Sequence, residues 1–301
     1  VEGTRKIFFT EKSGAIRVMK GRKLLTHPCA TLDVNDDGER GLLGIALHPG
    51  FAHNHKLYVY FTNANPLENR VARFVVERNR CTKKRVVIEG IPSNTNHDGG
   101  QIEFVDNHLF VSVGEAGDPS QSQDKESRLG KVLRYEPTGK IPNDNPFGNS
   151  VWSYGHRNPF GLTHKPGTNH IYSTENGPDC DDELNRIRRG RNYGWGDGYQ
   201  CGTAGVGPNP KGPILRWSSV IVPTDPWWYL GRMKSLSNSL YVGDHGSGAL
   251  HRILMNDRGT KVMGDRVIFD SAEGITDVSK GPGGWLYFLT TSGMFRIVPT
   301  S

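Results

Sequence analysis

One pattern recurs along the chain and restricts its fold more than any other feature: a short apolar strand, a glycine-containing turn, then a second strand with a late arginine. Lys6-Ile7-Phe8-Phe9-Thr10 passes through Gly14 to Ile16-Arg17-Val18. Leu240-Tyr241-Val242-Gly243 passes through Gly248 to Leu250-His251-Arg252-Ile253, and Trp285-Leu286-Tyr287-Phe288 through Gly293 to Phe295-Arg296-Ile297-Val298. Alternation on both sides of a glycine turn reads as a β-hairpin. Comparable strands begin near Lys6, Leu57, Leu109, His170, Leu240 and Leu286. Units of roughly fifty residues with several short strands each are propeller blades. The chain is therefore expected to be all-β, a six-bladed β-propeller. A sandwich uses fewer strands and shorter periods, and the absence of long helical patterns argues against an α/β fold. Wider spacing after Leu109 and after His170 predicts inserted loops there, and propellers carry functional loops at one mouth of the channel. Asn143-Asp144-Asn145-Pro146 and Gly205-Val206-Gly207-Pro208-Asn209-Pro210 read as loops rather than linkers. Residues 1–301 are thus expected to form a single propeller domain. The first strand, before Arg5, is short, so blade closure is expected to use the C-terminal strand.

With 38 glycines, 18 prolines and 35% hydrophobic residues, the chain is turn-rich. No apolar run reaches membrane-spanning length, so no membrane span is expected. No signal peptide is visible, since charged residues follow Val1 directly; an exported protein would be read here in its mature form. The formal net charge is +6, and Arg186, Arg188, Arg189 and Arg191 form the only dense basic group, beside the acidic run from Asp179 to Glu183. Nucleic-acid binding calls for a basic stripe interleaved with aromatics, which is missing, so no nucleic-acid partner is expected. A positive surface also attracts anionic ligands. Cys29, Cys81, Cys180 and Cys201 show no CxxC spacing, which argues against zinc. Their even number suits two disulfides in an oxidising, extracellular or periplasmic compartment. Sequence order suggests Cys29–Cys81 and Cys180–Cys201; the other two pairings, and four buried free thiols, stay open.

The stretch from Tyr154 to Trp195 gathers an arginine, several carboxylates and Gly/Pro turns between strand-like runs, and reads as a polar site for an anion beside a hard cation. Arg157-Asn158 sits in a stiff turn between Gly155 and Pro159, where a guanidinium can clamp a carboxylate or stabilise an oxyanion. The alternative is an arginine that ties a loop to a nearby carboxylate. Gly177-Pro178 is a tight turn whose carbonyls suit calcium, with Asp179, Asp181, Asp182 and Glu183 close by. The alternative is a solvated acidic loop balanced by the adjacent arginines. His97, in Asn96-His97-Asp98-Gly99-Gly100 before a strand, has the ring chemistry for proton abstraction from a hydroxyl. A surface-loop histidine is the plainer reading.

Together these blocks resemble the soluble pyrroloquinoline-quinone (PQQ) sugar dehydrogenases, the glucose/aldose/sorbosone dehydrogenase group. Gly38-Glu39-Arg40-Gly41-Leu42-Leu43-Gly44, His97-Asp98-Gly99-Gly100, Tyr154 to Pro159 and Glu175 to Trp195 carry the likeness in order along most of the chain. The resemblance implies a six-bladed propeller that oxidises aldose sugars at C1 to the lactone, with PQQ and calcium as cofactors and a separate electron acceptor. It implies His97 as the base, Arg157 as a further catalytic residue, and Glu39, His97, Arg157 and Asn158 as cofactor contacts. The carbonyls of Gly177 and Pro178 would hold the reacting calcium, while Glu183 and the Tyr193 backbone would match a second calcium. Two departures stand out. Asp244-His245-Gly246-Ser247-Gly248 lacks the usual Lys or Arg, and Glu273-Gly274-Ile275-Thr276-Asp277 lacks the usual two arginines. In the family these cations neutralise the quinone's carboxylates. Arg232, Lys234 and Lys280 are candidates to replace them. A non-catalytic propeller of the hedgehog-interacting type, serving binding, adhesion or assembly, is the alternative, as is another, less anionic ligand in the same mouth. The sugar, the electron acceptor and any homo-oligomer stay open.

Overall fold

The computed structural model describes Val1 and residues 4–298, nearly all of them strand and turn. The strands make six antiparallel sheets arranged as a β-propeller. Blade 1 comprises β1 (Lys6–Glu11), β2 (Ala15–Lys20), β3 (Lys23–Leu24) and β4 (Ala30–Thr31). Blade 2 comprises β5 (Leu42–Leu47), β6 (Lys56–Asn63), β7 (Glu68–Glu77) and β8 (Arg80–Ile91), with the short helix α1 (Phe51–Asn54) between its first two strands. Blade 3 comprises β9 (Ile102–Val105), β10 (His108–Val113), β11 (Lys131–Tyr135) and β12 (Val151–Tyr154), with α2 (Ser120–Gln123) between β10 and β11. Blade 4 holds β13 (Pro159–His164), β14 (Ile171–Glu175), β15 (Asp182–Ile187) and β16 (Leu215–Trp217). Blade 5 holds β17 (Pro223–Tyr229), β18 (Ser239–Asp244), β19 (Ala249–Met255) and β20 (Val262–Asp270). Blade 6 is three-stranded, with β21 (Ile275–Lys280), β22 (Leu286–Thr290) and β23 (Met294–Arg296).

Strand alternation explains how blades stack. In β6, Leu57, Val59 and Phe61 face one side and join Ile16 and Val18 of blade 1. Tyr58 and Tyr60 face the other and join Ile102, Leu109 and Val111 of blade 3. A period of two thus turns one apolar strand into two inter-blade cores. Each fully buried side chain of this kind contributes about 1.5–3 kcal/mol. The same division recurs at blade 4, where Tyr172 and Leu184 pack toward Trp228 and Leu240 of blade 5, while Leu162, Ile171 and Ile187 pack toward Val105 and Phe110 of blade 3.

The sequence repeat marks the second strand of blades 2 to 6, and the β1–β2 hairpin corresponds to β18–β19 and β22–β23. The expected loops fall inside blades 3 and 4, as residues 136–150 and 188–214. The expected closure by the C-terminal strand is not found among the described residues. β23 pairs with β22 in its own blade, and no described strand joins the sheets of blades 1 and 6. The Cys29–Cys81 disulfide fastens blade 1 to β8 of blade 2, beside a Cys81 N–H bond to the Cys29 carbonyl of 2.7 Å. Cys180–Cys201 is the second disulfide, and free cysteines are absent among the described residues. Among the described residues, no helix is long and apolar enough to cross a membrane.

Candidate functional site

Antiparallel strand order brings distant residues to one end of the propeller. There β9 and β13 begin, β10 and β14 end, and the connections between them carry His97, Glu115, Arg157-Asn158 and Glu175-Asn176-Gly177. Glu39 arrives from the connection between blades 1 and 2. Hydrogen bonds join these segments. Glu39 Oε2 accepts from the His97 N–H (2.8 Å) and from Asn158 Nδ2 (3.3 Å). Asn158 Oδ1 accepts from the Gly99 N–H at 3.2 Å. Glu115 N–H donates to the Arg157 carbonyl, and Ala116 N–H to the His97 carbonyl.

His97 lies against Glu115, Nδ1 to Oε1 at 2.5 Å, and the carboxylate is 98% buried. This fixes the ring so that Nε2 is the nitrogen left for other partners, and it places a negative charge where an imidazolium would form. The backbone of His97 is left-handed, with φ of 59°. Such a conformation is uncommon outside glycine and is held only by surrounding structure. The neighbouring chain supplies it: a Cβ on Gly114 would stand 2.0 Å from the His97 carbonyl oxygen, so only glycine permits this approach.

Arg157 lies across the turn after β14. Its Nη1 donates to the carbonyls of Asn176 (3.0 Å) and Gly177 (2.8 Å), and its guanidinium sits 5.3 Å over the Trp195 ring. Burial pulls its pKa below the ordinary value, against Glu115, Glu175, Glu39 and Asp182. The arginine therefore ties the loop through carbonyls rather than through a carboxylate side chain. Beneath it, Glu175 accepts from the Arg157 N–H and from fully buried His156, whose Nε2 meets Ser153 Oγ at 2.9 Å. Asn185 Nδ2 bridges Glu175 and Glu183. Burial, then Glu175, pushes Glu183 up to about 7. Asp182 is fully buried; Oδ1 accepts from Gly177 N–H, and Oδ2 from the N–H groups of Ile221 and Val222.

Gly177, Pro178, Glu183 and Tyr193 border one small cavity together with Arg157, Glu175, Asn176, Asp181, Trp195 and Tyr199. Carbonyls already aimed at a guanidinium are suited to a hard cation, so this edge fits calcium. Tyr193 is buried, its ring stacked on His156 at 4.7 Å and its hydroxyl donating to the Arg186 carbonyl. The acidic loop is balanced not by the neighbouring arginines but by Arg216 of β16, 3.2 Å from Asp181 and 3.3 Å from Glu183. Cys180–Cys201, with Tyr199 and Gly202 on Asp181, holds the 196–205 loop against this edge.

Sequence reasoning missed Glu115 as a member of the site and gave Asp182 and Trp195 no role of their own. The Gly114-Glu115-Ala116-Gly117 turn at the end of an apolar strand was the available signal for Glu115. The stretch read as a polar site is also largely buried: Tyr154, His156, Asn158, Glu175, Asp182, Asn185, Asn192 and Tyr193 are all shielded from solvent. Mutual hydrogen bonding makes such polar burial affordable.

The three substitute cations do not reach this mouth. β17 starts at the mouth, where Asn176 Nδ2 donates to the Pro223 carbonyl, and runs away from it, so Arg232 and Lys234 follow its far end. Lys280 ends β21, whose start pairs with the mouth end of β22. Arg232 instead stacks over Trp285. In the Asp244–Gly248 loop, Asp244 is buried and accepts from Ser247. Arg157 is the one cation among the residues bordering the cavity. Neither the Asp244–Gly248 loop nor the Glu273–Asp277 segment brings a lysine or arginine to it.

Fold and site define a β-propeller whose mouth couples a histidine–carboxylate pair to a guanidinium and inward main-chain carbonyls. The chain belongs to the glucose/sorbosone dehydrogenase family, whose sequence profile matches residues 2–298. It is 29% identical over 326 residues to the aldose sugar dehydrogenase YliI of Escherichia coli, spanning 98% of this chain and 86% of that protein. The PQQ-bound aldose sugar dehydrogenase of Streptomyces coelicolor superposes with a TM-score of 0.83 at 30% identity, covering 95% of this chain and 85% of that one. Human hedgehog-interacting protein is a more distant relative, 27% identical over 182 residues, or 50% of this chain and 26% of that protein.

Proposed function

We propose that the protein is a calcium- and PQQ-dependent aldose dehydrogenase that oxidises the sugar C1 hydroxyl and passes electrons to a separate acceptor. The observation that carries this reading is that the His97–Glu115 pair and the Arg157–Gly177 contact lie at one end of the propeller, joined by the Glu115 N–H bond to the Arg157 carbonyl. His97 Nε2 takes the hydroxyl proton, and Glu115 holds the ring and stabilises the resulting imidazolium. Glu39 and Asn158 fix the loop that presents His97. The Gly177 and Pro178 carbonyls would hold the reacting calcium, and Glu183 with the Tyr193 backbone a second one. When bound, PQQ supplies the carbonyl that accepts hydride. Arg157 and Asn158 orient it by hydrogen bonds that strengthen as charge develops. The missing cations predict weak cofactor binding: each lost charge-assisted bond costs about 1.5–3 kcal/mol. Two disulfides support an oxidising compartment, extracellular or periplasmic.

The absent clamp also favours a second reading, a non-catalytic propeller used for binding, adhesion or assembly. One assay separates the two. The protein is supplied with calcium and PQQ, and aldose-dependent reduction of an artificial acceptor is followed. Turnover that vanishes in His97→Ala supports the dehydrogenase; absence of PQQ binding at micromolar concentration to folded protein supports the other.

A further inference from the structure

The dense arginine group plays no part in the mouth, and the structure splits it in two. Arg189 reaches back to blade 3, donating through Nε and Nη2 to the Asp144 carbonyl at 3.2 and 2.9 Å. Arg186 and Arg188 point elsewhere. Arg186 pairs with Tyr172 across β14 and β15, and His164 pairs with Ile171, which pairs with Ile187. Extending these ladders by one residue sets Lys165, His170 and Arg188 side by side across three strands; the Lys165 N–H bonds the His170 carbonyl there. A period of two puts this row on the same sheet face as Arg186.

That face looks toward blade 5, at the end of the propeller opposite the mouth. Tyr172 stacks on Trp228 at 5.4 Å and donates to the carbonyl of Gly259, in the β19–β20 turn. Lys165 lies over Trp228 and donates to the Asp257 carbonyl in the same turn. The backbone of Arg258 lies against His170. Lys165, His170, Arg186 and Arg188 thus lie together at the notch where blade 4 meets blade 5.

The notch lacks internal compensation. The Arg186 and Arg188 side chains have no hydrogen-bond or ion-pair partner among the described residues, and His170 Nδ1 is shut from solvent with no hydrogen-bond partner. Burial, then Arg186, Lys165 and Arg188, hold His170 below its ordinary value, and burial, then Arg188, does the same to Arg186. Like charges gathered in a cleft repel unless a counter-charge joins them. Two guanidinium forks two residues apart on one strand, beside an imidazole and an ammonium from the other two, suit an oxyanion.

We propose that this notch binds a phosphate group, with Arg186 and Arg188 as its forks and His170 and Lys165 as its flank. The source is a free phosphate or a phospholipid headgroup at a membrane surface, and the experiment distinguishes them.

Calorimetric titration with inorganic phosphate at moderate salt gives saturable one-site binding. Arg188→Ala, on an exposed side chain, weakens it about tenfold, one charge-assisted contact. Arg186→Lys, which keeps the charge and removes the fork, weakens it as well. Arg189→Ala removes the same charge outside the notch and leaves affinity unchanged. The His170 ring resonances move in step with saturation. Sedimentation with phosphatidylglycerol vesicles identifies the source: vesicle binding that Arg188→Ala abolishes assigns the headgroup, and phosphate binding without vesicle binding assigns the free anion. Non-saturable binding, equal binding by Arg188→Ala, or equal weakening by Arg189→Ala means an adventitious ion only and overturns the proposal.

Discussion

Asp182→Ala is the most informative single substitution for the loop that carries Gly177. The Asp182 carboxylate is fully buried and accepts three backbone N–H groups, from Gly177 at 2.9 Å, Ile221 at 2.7 Å and Val222 at 2.8 Å. Alanine removes all three acceptors at once. Bonds to a charged acceptor are worth about 1.5–3 kcal/mol each, and a buried orphan N–H costs about 1–3 kcal/mol. Ile221 is buried, whereas Gly177 and Val222 are partly exposed and gain water in place of the carboxylate. The net loss is therefore about 3–5 kcal/mol. With an unfolding entropy of about 2 cal/mol/K per residue, a chain of this length loses about 1.6 °C of Tm per kcal/mol, so the midpoint falls by about 5–8 °C. Differential scanning calorimetry measures this directly. A midpoint within 1 °C or so of the parent would refute the reasoning, because it would show that Asp182 does not brace the loop.

Three further outcomes follow from the same geometry. Glu115→Gln keeps the shape but removes the charge beside His97; it lowers kcat about 10- to 100-fold with KM little changed, as steady-state dye reduction will show. Asp225 and Asp277 lie together on the inner strands of blades 5 and 6; burial, then Asp277, raises Asp225, and burial pushes Asp277 up to about 6. An acid with a raised folded-state pKa costs stability as pH rises through that value, so Asp225→Asn raises Tm more at pH 8 than at pH 4, and a shift equal at both would contradict the assignment. Replacing Cys29 and Cys81 together by serine costs about 2–4 kcal/mol, read as a lower denaturant midpoint, and an unchanged midpoint would remove the strap between blades 1 and 2.

How much of this was legible depended on periodicity. The hairpin repeat gave the blades because alternation and glycine turns are local signals, readable at Leu240–Ile253 as easily as at Lys6–Val18. It located second strands rather than blade edges, since the inner strands β5, β13 and β17 are interrupted by bulges near the mouth. Arg157 and Asn158 were visible as polar residues in a stiff turn, His97 as a histidine before a strand and Glu39 through the family resemblance alone, and hydrogen bonds join their segments in the structure. Glu115 was not read, because the glycine-flanked turn that carries it gains meaning only once His97 is placed against it. Nor could the sequence tell that Arg216, across β15–β16, balances Asp181 and Glu183, or that Arg232, Lys234 and Lys280 face away from the mouth. Those are facts of strand direction.

The account turns on one hollow bordered by Arg157 and Gly177, to which hydrogen bonds tie the segments of His97, Glu115 and Asn158. A crystal structure of the protein grown with calcium and PQQ tests it most directly. The account predicts density for a cation on the Gly177 and Pro178 carbonyls and for the quinone between Arg157 and His97. Clear density for both ligands at another place on a folded propeller, with this hollow holding only water, would contradict it.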